Sequence, residues 1–428
     1  MKKDSIRTII FQTVLFFLCL TYPNHLLANT PQSADEQFPT TIVSDSIFKS
    51  YLDSQNICTT HLNKVEIIRS GHDKFIRLFD DIRQAKHYVH LEYFNFRNDS
   101  IANALFDLLG KKVKEGVKVR AMFDAFGNMS NNSPLKKEHL KKIRANGIEI
   151  VKFDPIRFPY INHVWHRDHR KIVVIDGTIG YTGGMNIADY YINGLPEIGE
   201  WRDMHVRIEG EAVHHLQDIF LAMWKKETKE VLTDSLSLYP HTTVSDSTEI
   251  AIVDRAPRKT PKSIRRAYIK AINAAQYKIQ LINPYFTPIH SVQKALRNAL
   301  KRGVKVEIMI PGKSDIPFTP DAAFYIANNL RKKGADIYVF HGGFHHSKIM
   351  MIDDKFCTVG SANLNSRSLR YDYEVNAFIF DKEPTDELID IFTEDQKNST
   401  ILTREEYKRR SSWRRFVGWF AHLLVPFI

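Results

Sequence analysis

One short pattern, His-x-Lys-x-x-x-x-Asp, stands at His169/Lys171/Asp176 and again at His346/Lys348/Asp353. In both copies Gly follows the Asp by seven residues and Asn by ten, as Gly183/Asn186 and Gly360/Asn363. The likeness reaches well beyond the pattern. EGVKVRAMFDAFGN from Glu115 matches RGVKVEIMIPGKSD from Arg302, and NGIEIVKFDP from Asn146 matches KGADIYVFHG from Lys333. Each copy is preceded by a helical period, Ile101, Leu105, Leu108 and Leu109 in one and Val292, Leu296, Ala299 and Leu300 in the other. Gly116 and Gly303 then read as helix stops before a strand. A chain written twice in this way is expected to fold as two like units.

Helices alternating with β-rich runs predict an α/β architecture: two pseudo-symmetric halves, each a mixed, mostly parallel sheet flanked by helices, sharing one active site. The halves are placed at residues 61–232 and 248–400, with a Ser/Thr/Asp-rich linker at 233–247 and a polar lead-in at 29–60. Residues 1–28 carry Lys2, Lys3 and Arg7 ahead of an apolar run, the layout of a secretory signal or of an uncleaved membrane anchor. The tail, 401–428, sets a basic cluster against an apolar run of thirteen residues from Phe416, too short to span a bilayer. It is expected either to dock on its own domain or to lie in a membrane interface. The segment DPIRFPYINHVWHRD, which lengthens the first copy, is expected as a loop at the mouth of the site.

With 428 residues, 43% of them hydrophobic, the chain is long enough for two ordinary domains, and disorder is excluded. Its net charge of +11 suits an anionic partner, phospholipid head groups or nucleic acid. Three cysteines, one of them in the signal-like stretch, provide no disulfide framework.

The apolar alternation of Ile172, Val174 and of Ile349, Met351 predicts that each pattern leads into a buried strand, with His and Lys, two apart, on one face. A phosphodiester is a poor electrophile until its non-bridging oxygens are neutralised, and Lys171 with Lys348 can supply that charge. Asn186 and Asn363 can donate to the same oxygens, with Gly183 and Ser361 beside them in the expected substrate-binding set. Two imidazoles, His169 and His346, can divide the work of nucleophile and acid. Laid over one another, the copies bring Asp203 opposite Glu374, the pair expected to orient the histidines. Asp176 and Asp353 lie an odd number of residues from their His and are expected to serve structure. This chemistry calls for no cofactor and no metal. His163, His166 and His169 at three-residue steps do not make a convincing zinc set.

These patterns resemble the HKD motifs of the phospholipase D superfamily, from about Val65 to the carboxyl end. The stretches GGMN, GSANLNSRS, LEYFNFRND, NPYFTP and WRD are most similar to those of bacterial cardiolipin synthases. The resemblance implies that His169 forms a phosphohistidine while His346 protonates the leaving alcohol and then activates the acceptor. It implies a phospholipid substrate, phosphatidylglycerol above all, and a membrane surface as partner, with no obligatory protein partner. It also implies a bacterial protein that is membrane-associated, periplasmic or secreted. Phospholipid hydrolysis, or a secreted phosphodiesterase or nuclease acting on nucleic acid, are the alternatives the sequence leaves open.

Overall fold

The computed structural model describes residues 43–155, 165–233, 238–241, 243–316 and 319–425. The signal-like run, the middle of the Pro- and aromatic-rich segment with His163, and part of the linker lie outside the described residues.

Two sheets carry the fold. The first has seven strands in the spatial order Asn63–Ile68, His205–Gly210, Ile179–Gly183, Lys171–Ile175, Tyr88–Tyr93, Lys118–Asp124 and Glu149–Phe153. The second repeats that order with Glu249–Arg255, Glu374–Phe380, Phe356–Gly360, Ile349–Ile352, Lys278–Ile282, Lys305–Pro311 and Asp336–Phe340, and adds Thr59–Thr60 at one edge and Ser399–Ile401 at the other.

The expectation of mostly parallel sheets is corrected. Pairing is parallel only among the last three strands of each repeated set, which helical crossovers join. Every other neighbour in these two sheets runs antiparallel. The motif strand turns back on itself through a hairpin, Asp176–Gly177 in one half and Asp353–Asp354 in the other, and no helix intervenes there to return the chain in the same direction.

Each helix expected from the apolar period forms and covers the outer face of its sheet. Helices Gly71–Gln84 and Ser100–Lys114 bury Phe75, Leu78, Leu105 and Leu109 against the first. Helices Ser263–Ala274, His290–Lys301 and Thr319–Arg331 do the same on the second. Gly116 and Gly303 sit just past their helices at φ of 96° and 86°, a conformation that costs other residues a Cβ clash. The inner faces of the two sheets meet in a shared core of Ile172, Val174, Val206 and Ile208 against Ile349, Met351, Val375 and Ala377. That apolar layer holds the two halves together, with residues of both on either side of it.

Residues 44–60 are not a polar lead-in. Helix Ser44–Ser54 drops Phe48 and Leu52 into the second core, with the Phe48 ring 5.2 Å from Phe356 and 5.0 Å from Phe378. The strand Thr59–Thr60 then pairs with Ile250 and Ala251. Burying one such Phe contributes about 1.5–3 kcal/mol, so this segment belongs to the second half although it precedes the first in sequence. The tail docks as well: Gly418, Ala421 and Val425 of helix Ser412–Leu424 and its C-cap are buried, against helix Thr319–Arg331. Among the described residues no helix is long and apolar enough to cross a membrane.

Candidate active site

The two motif histidines lie where the halves touch, each held by a short parallel backbone bridge to the other half. His345 pairs with Arg202 and Asp168 with Tyr373. These are the residues just before His346, Asp203, His169 and Glu374. The bridges continue as His346 N–H to the Arg202 carbonyl at 2.6 Å and His169 N–H to the Tyr373 carbonyl at 3.0 Å. Each histidine is thereby set beside a carboxylate that belongs to the opposite repeat.

The side chains complete what the backbone begins. His169 Nδ1 lies 3.1 and 3.2 Å from the two Glu374 oxygens, and His346 Nδ1 lies 2.6 Å from Asp203 Oδ2. With Nδ1 of each ring held by a carboxylate, Nε2 is the nitrogen that does not face one. Lys171 Nζ donates to the His169 carbonyl at 2.6 Å, and Lys348 Nζ donates to the His346 carbonyl while lying 2.9 and 3.1 Å from the two ring nitrogens. Both lysines, both carboxylates and His346 are buried, and His169 retains 15% side-chain exposure. Aromatic rings wall the pair: Phe94 stands 5.1 Å from His169, and Trp201 and Tyr285 stand 5.3 and 5.9 Å from His346. Their neighbours Tyr93 and Phe286 are core.

Burial governs the electrostatics. It lowers the Lys171 ammonium to about 7, with Glu374 opposing and Lys348 assisting, and lowers Lys348 to about 8 against Asp203 and Glu374. Burial and then the two lysines hold His169 well below its usual value, and burial with Lys348 brings His346 down to about 3. In the free site both imidazoles are therefore neutral. The carboxylates differ: burial pushes Glu374 up to about 7, whereas burial at Asp203 is overcome by Lys348 and His346, which hold it below the usual carboxylate range.

Other expected residues fall into two groups. Asn186 and Asn363 are buried, and in each the side-chain oxygen has no hydrogen-bond partner among the described residues. Asp176 accepts from the backbone N–H groups of Lys86, His87 and Tyr88, and Asp353 from those of Gln276, Tyr277 and Lys278. Both tie the motif hairpin to the start of the adjacent strand, at distances of 2.6–2.9 Å.

Ser361 and Gly183 are placed differently from the substrate-binding expectation. The Ser361 hydroxyl donates to Glu374 and accepts from Val375 N–H at 3.0 Å, and Ser368 also bonds Glu374. Gly183 faces His205, and a Cβ there would fall on that ring and on the Met204 carbonyl. His166 bonds the Tyr371 carbonyl at 2.9 Å, while Arg202 and His345 share Asp395, each at 2.9 Å. Arg367 pairs with Asp372 at 3.0 Å.

Lys74 lies outside the repeated pattern and is not legible from it. It is fully buried and donates to the carbonyls of Met185 and Asn186 at 2.9 and 3.1 Å, fixing the loop that carries Asn186. The signal was a lysine on the apolar face of an amphipathic helix, beside Phe75 and Leu78.

Known proteins resemble this chain over most of its length. Residues 78–224 and 268–396 match the family described as "Cardiolipin synthase, PLD-like domain". A cardiolipin synthase of Listeria monocytogenes is 38% identical over 86% of this chain and 76% of its own length. A major cardiolipin synthase of Bacillus subtilis matches at the same identity and coverage. Among solved structures, phosphatidylserine synthase of Haemophilus influenzae superposes with a TM-score of 0.68 over 90% of this chain and 100% of that one, at 15% identity, and so shares the fold. With its two intact His/Lys repeats and their carboxylates gathered at one inter-half site, the chain belongs to the cardiolipin synthase family of phospholipase D-like enzymes.

Proposed function

We propose that the chain moves a phosphatidyl group from one phosphatidylglycerol to another, giving cardiolipin and glycerol through a phosphohistidine on His169. The observation that carries this reading is the crossed pairing of each histidine with the other repeat's carboxylate. His169 Nε2 attacks phosphorus, the bond to the glycerol oxygen breaks, and His346 gives that oxygen a proton. His346 then takes the proton of the acceptor's hydroxyl, which attacks phosphorus and breaks the N–P bond, restoring both imidazoles. Lys171 and Lys348 hold the non-bridging oxygens, and Asn186 and Asn363 donate to them.

The unequal carboxylates favour these roles. Asp203 stays ionised and sits close, which suits the ring that must carry a proton at the leaving oxygen. Without substrate, burial first and then the lysines suppress that proton. A bound phosphodiester offsets their charge and lets His346 protonate. His169, more exposed and opposite the weaker carboxylate, suits the nucleophile. Relatives at 38% identity that are named cardiolipin synthases support the substrate.

The test supplies labelled phosphatidylglycerol vesicles with EDTA present and resolves the products. Cardiolipin together with a base-stable, acid-labile label on His169 is expected. Phosphatidic acid alone would make the chain a hydrolase, and no lipid turnover with cleavage of nucleic acid would remove the phospholipid reading.

A further inference from the structure

Helix Ser412–Leu424 is built inside out. Its hidden stripe is small: a Cβ on Gly418 would fall on the Asp321 main chain, and Ala421 is buried beside it. Arg410 anchors the approach, ion-paired with Asp321 and 3.9 Å over the Phe324 ring, and the His422 ring lies 4.8 Å from Tyr325. On the opposite side Trp413, Phe416, Trp419, Phe420 and Leu423 are 45% to 70% exposed. A period of 3.6 residues gathers these five into one stripe with no charge among them. A surface helix of a soluble domain turns such a stripe inward, so this one is shaped for an apolar environment outside the protein.

Its flanks identify that environment. Lys408 and Arg409, at the end of the helix Arg404–Arg409 that leads into this one, and Arg414 in its first turn are exposed. Rings that reach below a layer of anions, with cations level with it, fit the interface of an anionic bilayer. A second copy of this chain would bring the same cations against one another. The helix has 13 residues, enough to lie in the interface and too few to cross it. Asp321, under Gly418, follows Asp315 by six residues in sequence. Asp315 accepts from the Tyr285 hydroxyl at 2.8 Å, and the Tyr285 ring lies 5.9 Å from His346.

We propose that helix Ser412–Leu424 docks the enzyme on the surface of an anionic phospholipid bilayer, lying in the plane of the interface. The inference rests on the phospholipid reading above. The full chain is mixed with phosphatidylglycerol/phosphatidylcholine vesicles brominated in their acyl chains, and its tryptophan emission is compared with that of Trp413→Phe/Trp419→Phe, which keeps the stripe apolar. Most of the bromine quenching is expected to vanish in the double variant. In parallel, Trp413→Ser/Phe416→Ser/Phe420→Ser is expected to lower turnover of vesicle phosphatidylglycerol about tenfold or more while sparing monodisperse short-chain phosphatidylglycerol. Quenching that survives in the Phe variant, an unchanged vesicle rate, or a dimer that the Ser variant dissolves would each overturn the docking. Failure of the native chain on both lipids would instead remove the phospholipid reading, and the quenching arm, needing no turnover, would still decide the docking.

Discussion

The His169–Glu374 and His346–Asp203 pairs occupy equivalent places in the two repeats and share their backbone bridges, yet they differ in strength. Asp203 sits 2.6 Å from its imidazole, is held below the usual carboxylate range and accepts from Met204 N–H at 2.8 Å. Glu374 stands at 3.1 and 3.2 Å, is pushed up to about 7 by burial and leans on Ser361 and Ser368. Duplication preserved the scaffold, and the divergence that can give two identical imidazoles different tasks lies in what surrounds their carboxylates.

The sharpest way to break that comparison is to remove each ring. His169→Ala and His346→Ala are each expected to lower turnover by about 10³-fold or more. They should differ in one respect. With a substrate whose leaving group needs no proton, His346→Ala should accumulate a labelled phosphoenzyme and His169→Ala should not. Equal labelling of both variants, or near-normal activity in either, would refute the division of labour.

The lysines come next. Lys171→Met and Lys348→Met should each lose roughly 10²–10³-fold in kcat/KM as charge clamps on the phosphodiester. Each should also gain about 1 kcal/mol of stability, because an ammonium whose folded value is lowered by burial opposes folding. The sign is explicit for Lys171: between about 7 and the unfolded 10.5 the unfolded chain binds more protons, so its contribution makes stability rise with pH across that window. Urea unfolding from pH 6 to 10 should show that rise in the native chain and its loss in Lys171→Met. An unaltered slope would mean that Lys171 is not buried as a cation.

The carboxylates follow. Asp203→Asn is expected to cost about 10²-fold in kcat and Glu374→Gln about tenfold, since only the first removes a firmly ionised partner from a ring that must hold a proton. Glu374 has the opposite linkage to Lys171. Its folded value, about 7, exceeds the ordinary 4.5, so the folded chain binds the extra proton and the Glu374 contribution falls as pH rises through that interval. Melting curves of Glu374→Gln between pH 4.5 and 7 should lack this fall. Equal kinetic losses in the two variants would erase the asymmetry drawn above.

Much of this was legible before any coordinates. Matched offsets gave the two His/Lys sets and both asparagines, and the parity of Asp176 and Asp353 announced their structural role. Alignment of the repeats paired Asp203 with Glu374 but could not say which histidine each would meet. That depends on docking the halves, and the partners lie 143 and 205 residues apart. The antiparallel motif strands were readable, since Asp-Gly between the apolar runs ending at Ile175 and starting at Ile179 is a hairpin signal, whereas the helical crossovers elsewhere in each repeat point to parallel neighbours. Helix Ser44–Ser54 was likewise announced by Ile47, Phe48, Tyr51 and Leu52 at helical spacing, hidden among polar neighbours.

The smallest expected effect concerns Ser361. Its counterpart in the first repeat is Gly184, where a Cβ would fall within the Asp203 carboxylate. One half therefore leaves room for its carboxylate, and the other holds its longer carboxylate with a hydroxyl. A serine that touches the substrate phosphate would, on replacement by Ala, raise KM. A serine that only steadies Glu374 would lower kcat and leave KM unchanged. Ser361→Ala is expected to follow the second course, with a loss of about threefold to tenfold, the range of one neutral hydrogen bond. In Glu374→Gln, whose amide has already disturbed the link, the added Ser361→Ala should cost less than it does alone, because residues in one network are not additive. Additive losses in that cycle, or a KM effect in the single variant, would return Ser361 to the phosphate and leave Glu374 without its distinguishing support.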